Sequence, residues 1–316
     1  MVEVFRATVV IPTHNRELLL ARAVASALAR LPEGCEVVVV DDGSAPLAEP
    51  ALRAVIGPEP RLRVIRNEGA HGAAIARNLG VGAARGVVIF FLDDDDVLMP
   101  GYVAGVLAAR DMAERDFAEP DFAEPGTGAR NTGAWGFSPA LTHAADAAPV
   151  LAVVSHVRLI PVPGPLGRAH LTGLGYGFWV VRAQFQAVGG LDPDLAVNED
   201  TDLCLRLLSA GLLPSRATVA GVSLGLRTEG APAQAASVTQ RVRAADRAGY
   251  FARILDRHAV FLAGTPGLRA FMLKRQVKML AKSGQIGAGL RLAIAARKPG
   301  LALYALLNAA LYARRW

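Results

Sequence analysis

Cysteine is nearly absent: Cys35 and Cys204 are the only two in 316 residues, and their spacing builds neither a disulfide framework nor a thiolate metal site. A reducing, cytoplasmic setting is the expectation. Charge is thin, at 20% of residues, and aromatics make up 6%, while hydrophobic residues reach 52% and the mean hydropathy is +0.31. These proportions exclude a disordered chain. Long apolar runs are missing too: no segment reaches the roughly 18 uninterrupted apolar residues that a membrane span requires. The opening MVEVFRATVVIPTHNR has no basic leader and no small-residue cleavage site, so it reads as a first strand rather than a signal peptide. What the C-terminal part lacks is acid. Arg241 to Trp316 holds 15 basic residues against Asp246 and Asp256, a net +13. The whole chain has 34 basic and 28 acidic residues, so the first 240 positions keep 19 and 26, a net −7. An acidic body carries a basic tail.

The first hundred residues alternate strand and helix. Phe5 to Pro12 is a β-branched run, Glu17 to Leu31 places Leu20, Val24, Leu28 and Leu31 at helical spacing, and Glu36 to Val40 is continuously apolar. A strand of that last kind is buried on both faces of a parallel sheet. Arg61 to Ile65, Ala73 to Arg85 and Val87 to Leu92 continue as strand, helix and strand. The alternation predicts an α/β fold with right-handed crossovers. Asp116 to Pro125 repeats DFAEP once, a duplicated surface loop rather than a solenoid. Strand character returns at Val150 to Ile160 and Phe178 to Val181, and Asn198 to Ala210 reads as a helix with Asn198 as N-cap. Beyond about Pro232 the pattern is helical, with breaks near Gly264, Gly284 and Pro299. The expected division is an α/β domain over 1–227 and a basic amphipathic helical region over 228–316.

Chemistry gathers where strands end. Asp93, Asp94, Asp95 and Asp96 follow VVIFFL directly, and strand periodicity puts Asp93 and Asp95 on one side of the chain and Asp94 and Asp96 on the other. Carboxylates about 4 Å apart repel by roughly 1 to 4 kcal/mol, so the cluster needs solvent, basic partners or a divalent cation. Oxygen ligands favour Mg²⁺ or Mn²⁺ over zinc. Asp41-Asp42-Gly43-Ser44 ends the second strand with good turn chemistry, and Thr13-His14-Asn15-Arg16 ends the first. Three polar strand ends at one sheet edge make a pocket where open α/β folds bind ligands.

The blocks VVIPTHNR, VVVVDDGS, NEGAHGAAIARNLG, FFLDDDDVLMP and VGGLDPDLAVNEDTDLCLRLLSAG, taken in order and at these spacings, resemble the family-2 glycosyltransferases of GT-A fold over about Val4 to Gly211. The resemblance implies a Rossmann-like mixed sheet flanked by helices, with a C-terminal helical subdomain. It implies inverting transfer of a sugar from a nucleotide-diphosphate donor, a UDP-sugar foremost, to a saccharide, lipid-linked or other hydroxyl acceptor in cell-envelope or polysaccharide synthesis. It sets Pro12, Thr13, Asn15, Arg16, Asp41, Asp42, Arg77, Asp93 and Asp94 around the nucleotide, and Mn²⁺ or Mg²⁺ on Asp93 and Asp95, with Asp95 the direct ligand. Glu199 and Asp200 match the acidic pair whose second member is the general base. Read alone, Asn198-Glu199-Asp200 is equally an N-cap followed by first-turn acids that suit the helix dipole. Asp202, two residues on, points away from Asp200 and supports the helix start. Gly189 and Gly190 read as a tight turn, and Tyr176, Trp179 and Gly190 fall where acceptors bind, although His170 and the aromatics serve equally well as surface and core residues. Where the family carries an Arg-x-His element, this chain has Leu226-Arg227-Thr228-Glu229, which leaves Arg227 to reach phosphate.

Alternatives remain open at this level. A sugar-phosphate nucleotidyltransferase or a dehydrogenase would carry a Gly-rich loop after the first strand, which Ile11 to Arg16 lacks. A nucleic-acid binder would need base-reading elements, whereas the tail alternates basic residues with aliphatics, so no nucleic-acid partner is expected. In that tail Phe271, Met272, Arg275 and Met279 lie near helical spacing, Lys274, Lys278 and Lys282 form a basic stripe, and Leu301 to Ala313 is apolar but too short to span. With Arg314, Arg315 and Trp316 this suggests helices lying on an anionic membrane surface, peripheral on its cytoplasmic face. An ordinary helical subdomain with a solvated basic face fits the same pattern.

Overall fold

The computed structural model describes residues 5–116, 133–144, 149, 153–154, 156–226 and 241–313. The DFAEP repeat beyond Asp116, Arg227 and residues 314–316 lie outside them. The first βαβ run is β1 (Ala7–Thr13), α1 (Glu17–Leu28), β2 (Cys35–Asp41), α2 (Ala48–Ile56), β3 (Leu62–Arg66), α3 (Ala73–Ala83) and β4 (Val88–Phe91). The central part holds β5 (Val97–Leu98), α4 (Tyr102–Asp116), β6 (Trp135–Phe137), β7 (Ala140–Ala144), β8 (Leu159–Pro161), β9 (Trp179–Val181), α5 (Arg182–Ala187), α6 (Glu199–Ser209), β10 (Ser215–Ala217) and β11 (Val222–Leu226). The helices α7 (Ala244–Arg257), α8 (Ala259–Ala263), α9 (Pro266–Lys282), α10 (Ile286–Ala295) and α11 (Pro299–Ala313) follow. Of the expected strand Val150 to Ile160, only its end enters a strand among the described residues, as β8.

Eight strands pair in the order β3-β2-β1-β4-β9-β6-β10-β8. The first four are parallel, with Val9 opposite Val37 and Phe90, while β9 runs antiparallel to β4 and β6. All seven residues of β2 are buried, as the unbroken Val37-Val38-Val39-Val40 run requires. A second sheet has the order β5-β11-β7. The strand order turns at β1, with β2 and β3 on one side and β4 on the other, so the crevice expected of an open α/β sheet falls beyond the carboxyl ends of β1 and β4.

Two compact units divide the chain: residues 1–163, 172–193 and 206–230 form the first, and 164–171, 194–205 and 231–316 the second. In the first, Val9, Ile11, Val37, Val39 and Phe90 meet Leu20 and Val24 of α1 and Tyr102 and Val106 of α4 in one buried cluster. Each such fully buried side chain contributes about 1.5–3 kcal/mol. At the amino ends of the strands Glu36, with no exposed surface, accepts from Thr8 Oγ1 (3.0 Å), Arg63 Nη1 (3.2 Å) and Arg85 Nη2 (2.7 Å). Burial alone would raise its carboxyl, but Arg85, Arg63 and Thr8 outweigh it and hold the group below its usual range. In the second unit α9 is central, burying Leu268, Met272, Val277 and Leu280 and packing on α7, α10 and α11. In the lysine stripe expected on α9, Lys274 and Lys282 are exposed and Lys278 half-buried, and Lys274 Nζ lies 4.7 Å from the Tyr304 ring centre and Lys282 Nζ 6.0 Å from that of Tyr312. Among the described residues no helix is long and apolar enough to cross a membrane.

Candidate active site

The carboxyl ends of β1, β2 and β4 bring their polar residues together. Thr13, opposite Asp41 in the β1–β2 register, donates its hydroxyl to Asp94 Oδ2 at 2.8 Å. Asn15 has φ 54°, a left-handed turn in which its N–H reaches Ser44 Oγ (2.9 Å) and its Oδ1 accepts from Ala45 N (2.8 Å). Arg16 Nη1 bridges two acids, Asp94 Oδ1 at 2.8 Å and Asp95 Oδ2 at 3.1 Å. From α3, Arg77 Nη2 donates to Asp93 Oδ1 at 2.5 Å. Asp42 holds the turn before α3, accepting from Asn67 Nδ2 (2.6 Å) and Gly72 N (2.8 Å).

The aspartates do not continue the strand. β4 ends at Phe91, and Asp96 N donates to the Asp93 carbonyl at 3.1 Å, closing a turn. The strand-like alternation expected for these four residues is therefore corrected: the turn brings Asp96, not Asp94, to the side of Asp93 and Asp95. One carboxylate oxygen from each of Asp93, Asp95 and Asp96 lies within 4.8 Å of the others. Asp94 turns instead to Thr13 and Arg16. Burial, then Asp93 and Asp95, push the Asp96 carboxyl up to about 8, against a backbone N–H from Gly225. Burial raises Asp94 as well, to about 6, with Arg16 pulling the other way and Asp95 adding to the rise. Three crowded oxygen donors, one of them disfavoured as an anion, fit a hard divalent cation, which relieves the repulsion.

Sequence reading missed several supporting residues. Gly225 of β11 lies against the cluster so closely that a Cβ would meet the Asp95 carbonyl oxygen at 2.4 Å, and a Cβ on Gly175 would stand 3.4 Å from Asp93 Oδ2 and Asp96 Oδ2. Arg22 of α1 donates to the Asp95 carbonyl at 3.2 Å. Asn78, beside Arg77, donates to the Leu191 carbonyl (2.7 Å) and accepts from its N–H (2.9 Å), fixing the Gly189-Gly190 turn, whose φ values are 86° and 67°. Only the Gly-rich character of their stretches signals Asn78, Gly175 and Gly225, and Arg22, in a helix without glycine, carries no such signal.

Two expected site residues are corrected. Asp41 is 2% exposed, and its carboxylate accepts from Ser44 N (2.8 Å), Ala48 N (3.0 Å) and Arg66 Nη1 (3.0 Å), so it caps the turn and α2 instead of facing a nucleotide. Trp179 has no exposed surface and packs in the sheet core, so it is no acceptor contact. Tyr176 is 48% exposed, while Pro12 lies within β1 and Gly190 is buried in its turn.

Glu199 and Asp200 open α6 in the second unit, and Asp200 Oδ1 accepts from Thr201 N at 2.6 Å. Asn198 precedes them at φ 69°, with its Oδ1 buried and accepting no hydrogen bond among the described residues, so its side chain is not the cap that the sequence suggested; its carbonyl accepts from Asp202 N at 3.1 Å. Asp202 has no exposed surface and accepts from Arg257 Nη1 (3.1 Å to each oxygen) and His258 Nε2 (2.9 Å). His170, in the same unit, is 2% exposed, and its Nδ1 accepts from Gly167 N at 3.3 Å.

Residues 8–124 match the model of Glycosyl transferase family 2. Succinoglycan biosynthesis protein ExoO of Rhizobium meliloti (strain 1021) is 44% identical over 104 residues, 33% of this chain and 29% of that protein. Validoxylamine A glucosyltransferase of Streptomyces hygroscopicus subsp. limoneus is 31% identical over 235 residues, 65% of this chain and 48% of that protein. The chain thus spans less than half the length of these two relatives. Among solved structures, GalNAc-T7 with UDP, GalNAc and Mn²⁺ aligns with a TM-score of 0.54 at 19% identity, over 73% of this chain and 45% of that one. S. aureus TarS aligns with a TM-score of 0.53 at 17% identity, over 87% and 43%. The structural likenesses show the GT-A fold, and residues 8–124 are similar to glycosyl transferase family 2.

Proposed function

We propose that the protein is an inverting glycosyltransferase that moves a sugar from a nucleotide-diphosphate donor, a UDP-sugar, to a hydroxyl acceptor in polysaccharide or envelope synthesis. The observation that carries this reading is the Asp93, Asp95 and Asp96 oxygen cluster, within 4.8 Å, at the carboxyl edge of a parallel sheet with Arg16 and Arg77 paired to it. Relatives in succinoglycan biosynthesis and in glucosyl transfer support the substrate class.

In the proposed reaction the acceptor oxygen attacks the anomeric carbon from the face opposite the diphosphate, the bond from that carbon to the phosphate oxygen breaks, and the diphosphate leaves with the electron pair. Asp200 takes the proton of the acceptor hydroxyl. Asp93, Asp95 and Asp96 would hold Mn²⁺ or Mg²⁺, which when bound supplies positive charge to the leaving diphosphate. Arg16 and Arg77 offer guanidinium N–H groups to the phosphates, and Thr13, Asn15 and Asp42 border the nucleoside. Glu199 supports Asp200, Tyr176 and Gly190 are assigned to the acceptor side, and the reaction takes place at the cytoplasmic face of the membrane.

Thermal shift with Mn²⁺ and UDP tests the first half of the proposal. Asp95→Ala should abolish the Mn²⁺-dependent stabilisation by UDP; an unchanged shift removes Asp95 from the cation site. For the base, Asp200→Asn should lower transfer about 10²- to 10⁴-fold with UDP affinity kept. Near-normal turnover would remove Asp200 from that role.

A further inference from the structure

The helix α11 is built inside out. Its small residues Ala305 and Ala309 are buried, at 0% and 8% exposure, and an ideal Cβ on Gly289 of α10 would lie 3.7 Å from the Ala305 Cβ. Its large residues face water: Leu303 is 59% exposed, Leu306 50%, Leu307 55% and Leu311 65%. Spaced by three and four, these leucines form one stripe. A helix that only completes a soluble subdomain turns its leucines in and a polar face out, and α11 has no charged residue at all. On the preceding helix Ile294 is 73% exposed, and Arg291, Arg297 and Lys298 are exposed beside it in the sequence.

The surrounding charge has one sign. Residues 266–316 contain ten basic residues and no acidic one, and all four lysines of the chain fall within them. Lys274 and Lys282 of α9 are exposed and lie over the Tyr304 and Tyr312 rings, so the α9 stripe adds positive charge next to α11. A second copy seated on this face would bring cation against cation with no carboxylate in the segment to pair them. A bilayer with anionic headgroups answers both properties at once, taking leucine side chains at the acyl boundary and arginine and lysine at the phosphates. We propose that the α10–α11 hairpin is an interfacial anchor that lays its Leu303, Leu306, Leu307 and Leu311 face on an anionic membrane surface. The inference does not need the transferase reading, because binding is measured without donor or acceptor.

The test is sedimentation of the full chain with phosphatidylcholine vesicles, with and without phosphatidylglycerol. The parent should pellet with the anionic vesicles and release as salt is raised. The double variant Leu303→Ser, Leu307→Ser should bind roughly tenfold more weakly or less still, with an unchanged circular dichroism spectrum. Leu307→Trp, which keeps an apolar side chain at the position, should show blue-shifted emission on anionic vesicles alone, and it keeps the test decisive should the double variant misfold. Equal binding of a folded double variant and the parent overturns the proposal, as does parental binding indifferent to lipid charge. A parent that fails to bind vesicles and sediments as a dimer, dissociating on substitution, assigns the face to a second copy and also overturns it.

Discussion

The hydrogen bond from Asp96 N to the Asp93 carbonyl selects which carboxylates meet, and the charge state of Asp96 follows from that placement. Its carboxyl, raised to about 8 by burial and by Asp93 and Asp95, stays protonated in the folded chain where the unfolded chain has already lost the proton. The folded state binds the extra proton between the unfolded value of 3.8 and about 8, so this group's contribution to stability falls as pH rises through that interval. Asp96→Asn keeps an oxygen for Gly225 N–H and removes the titration. In chelator, denaturant titrations should show a stability decline in the parent between about pH 6 and 8 that the variant loses, while the decline below about 6 to which Asp94 contributes remains. Parallel curves would remove Asp96 as the source. A sequence reader places Asp94 and Asp96 together because period two is the rule for strands; a turn closed by one backbone bond is invisible to that rule.

Among elements, α6 depends on a pair of residues more than fifty positions away. Asp202 is sealed from solvent, and Arg257 and His258 at the end of α7 satisfy it. Removing its charge leaves two donors without their carboxylate, a change that costs about 3–5 kcal/mol when the pair is buried. The Arg257 side chain is 42% exposed, so we expect Asp202→Asn to cost about 3 kcal/mol in urea denaturation, toward the lower end. A loss under half a kcal/mol would show that the ion pair carries little. The elements themselves were legible: β1 to β4, α1, α3 and the C-terminal helices follow from apolar periodicity and caps. Left unread were α2, whose sequence AEPALRAVI carries a proline in its first turn, and the Asp202 partners, since no local pattern links an acid to an Arg-His pair so far along the chain. Trp179 misled because position in a motif suggests contact, whereas only the three-dimensional packing shows that its strand pairs on both sides.

For the molecule as a whole, the division into two units cuts across the chain: segments 164–171 and 194–205 group with the C-terminal helices, so a chain stopped at residue 227 would strip Asp202 of both its partners. The basic tail and the acidic body thus meet different needs, the tail with its outward leucines and the body with its aspartates. Those aspartates already have counter-charges of their own, since Arg16 ties Asp94 to Asp95 and Arg77 holds Asp93. Folding therefore does not wait for metal. Chelator should leave the melting temperature of the parent unchanged, whereas Mn²⁺ with UDP should raise it; a large drop with chelator alone would contradict the internal pairing. A cation at the proposed site would meet an occupied seat: it would enter by exchange against guanidinium, and its apparent affinity would report the difference between two partners instead of the attraction of a bare acidic cluster.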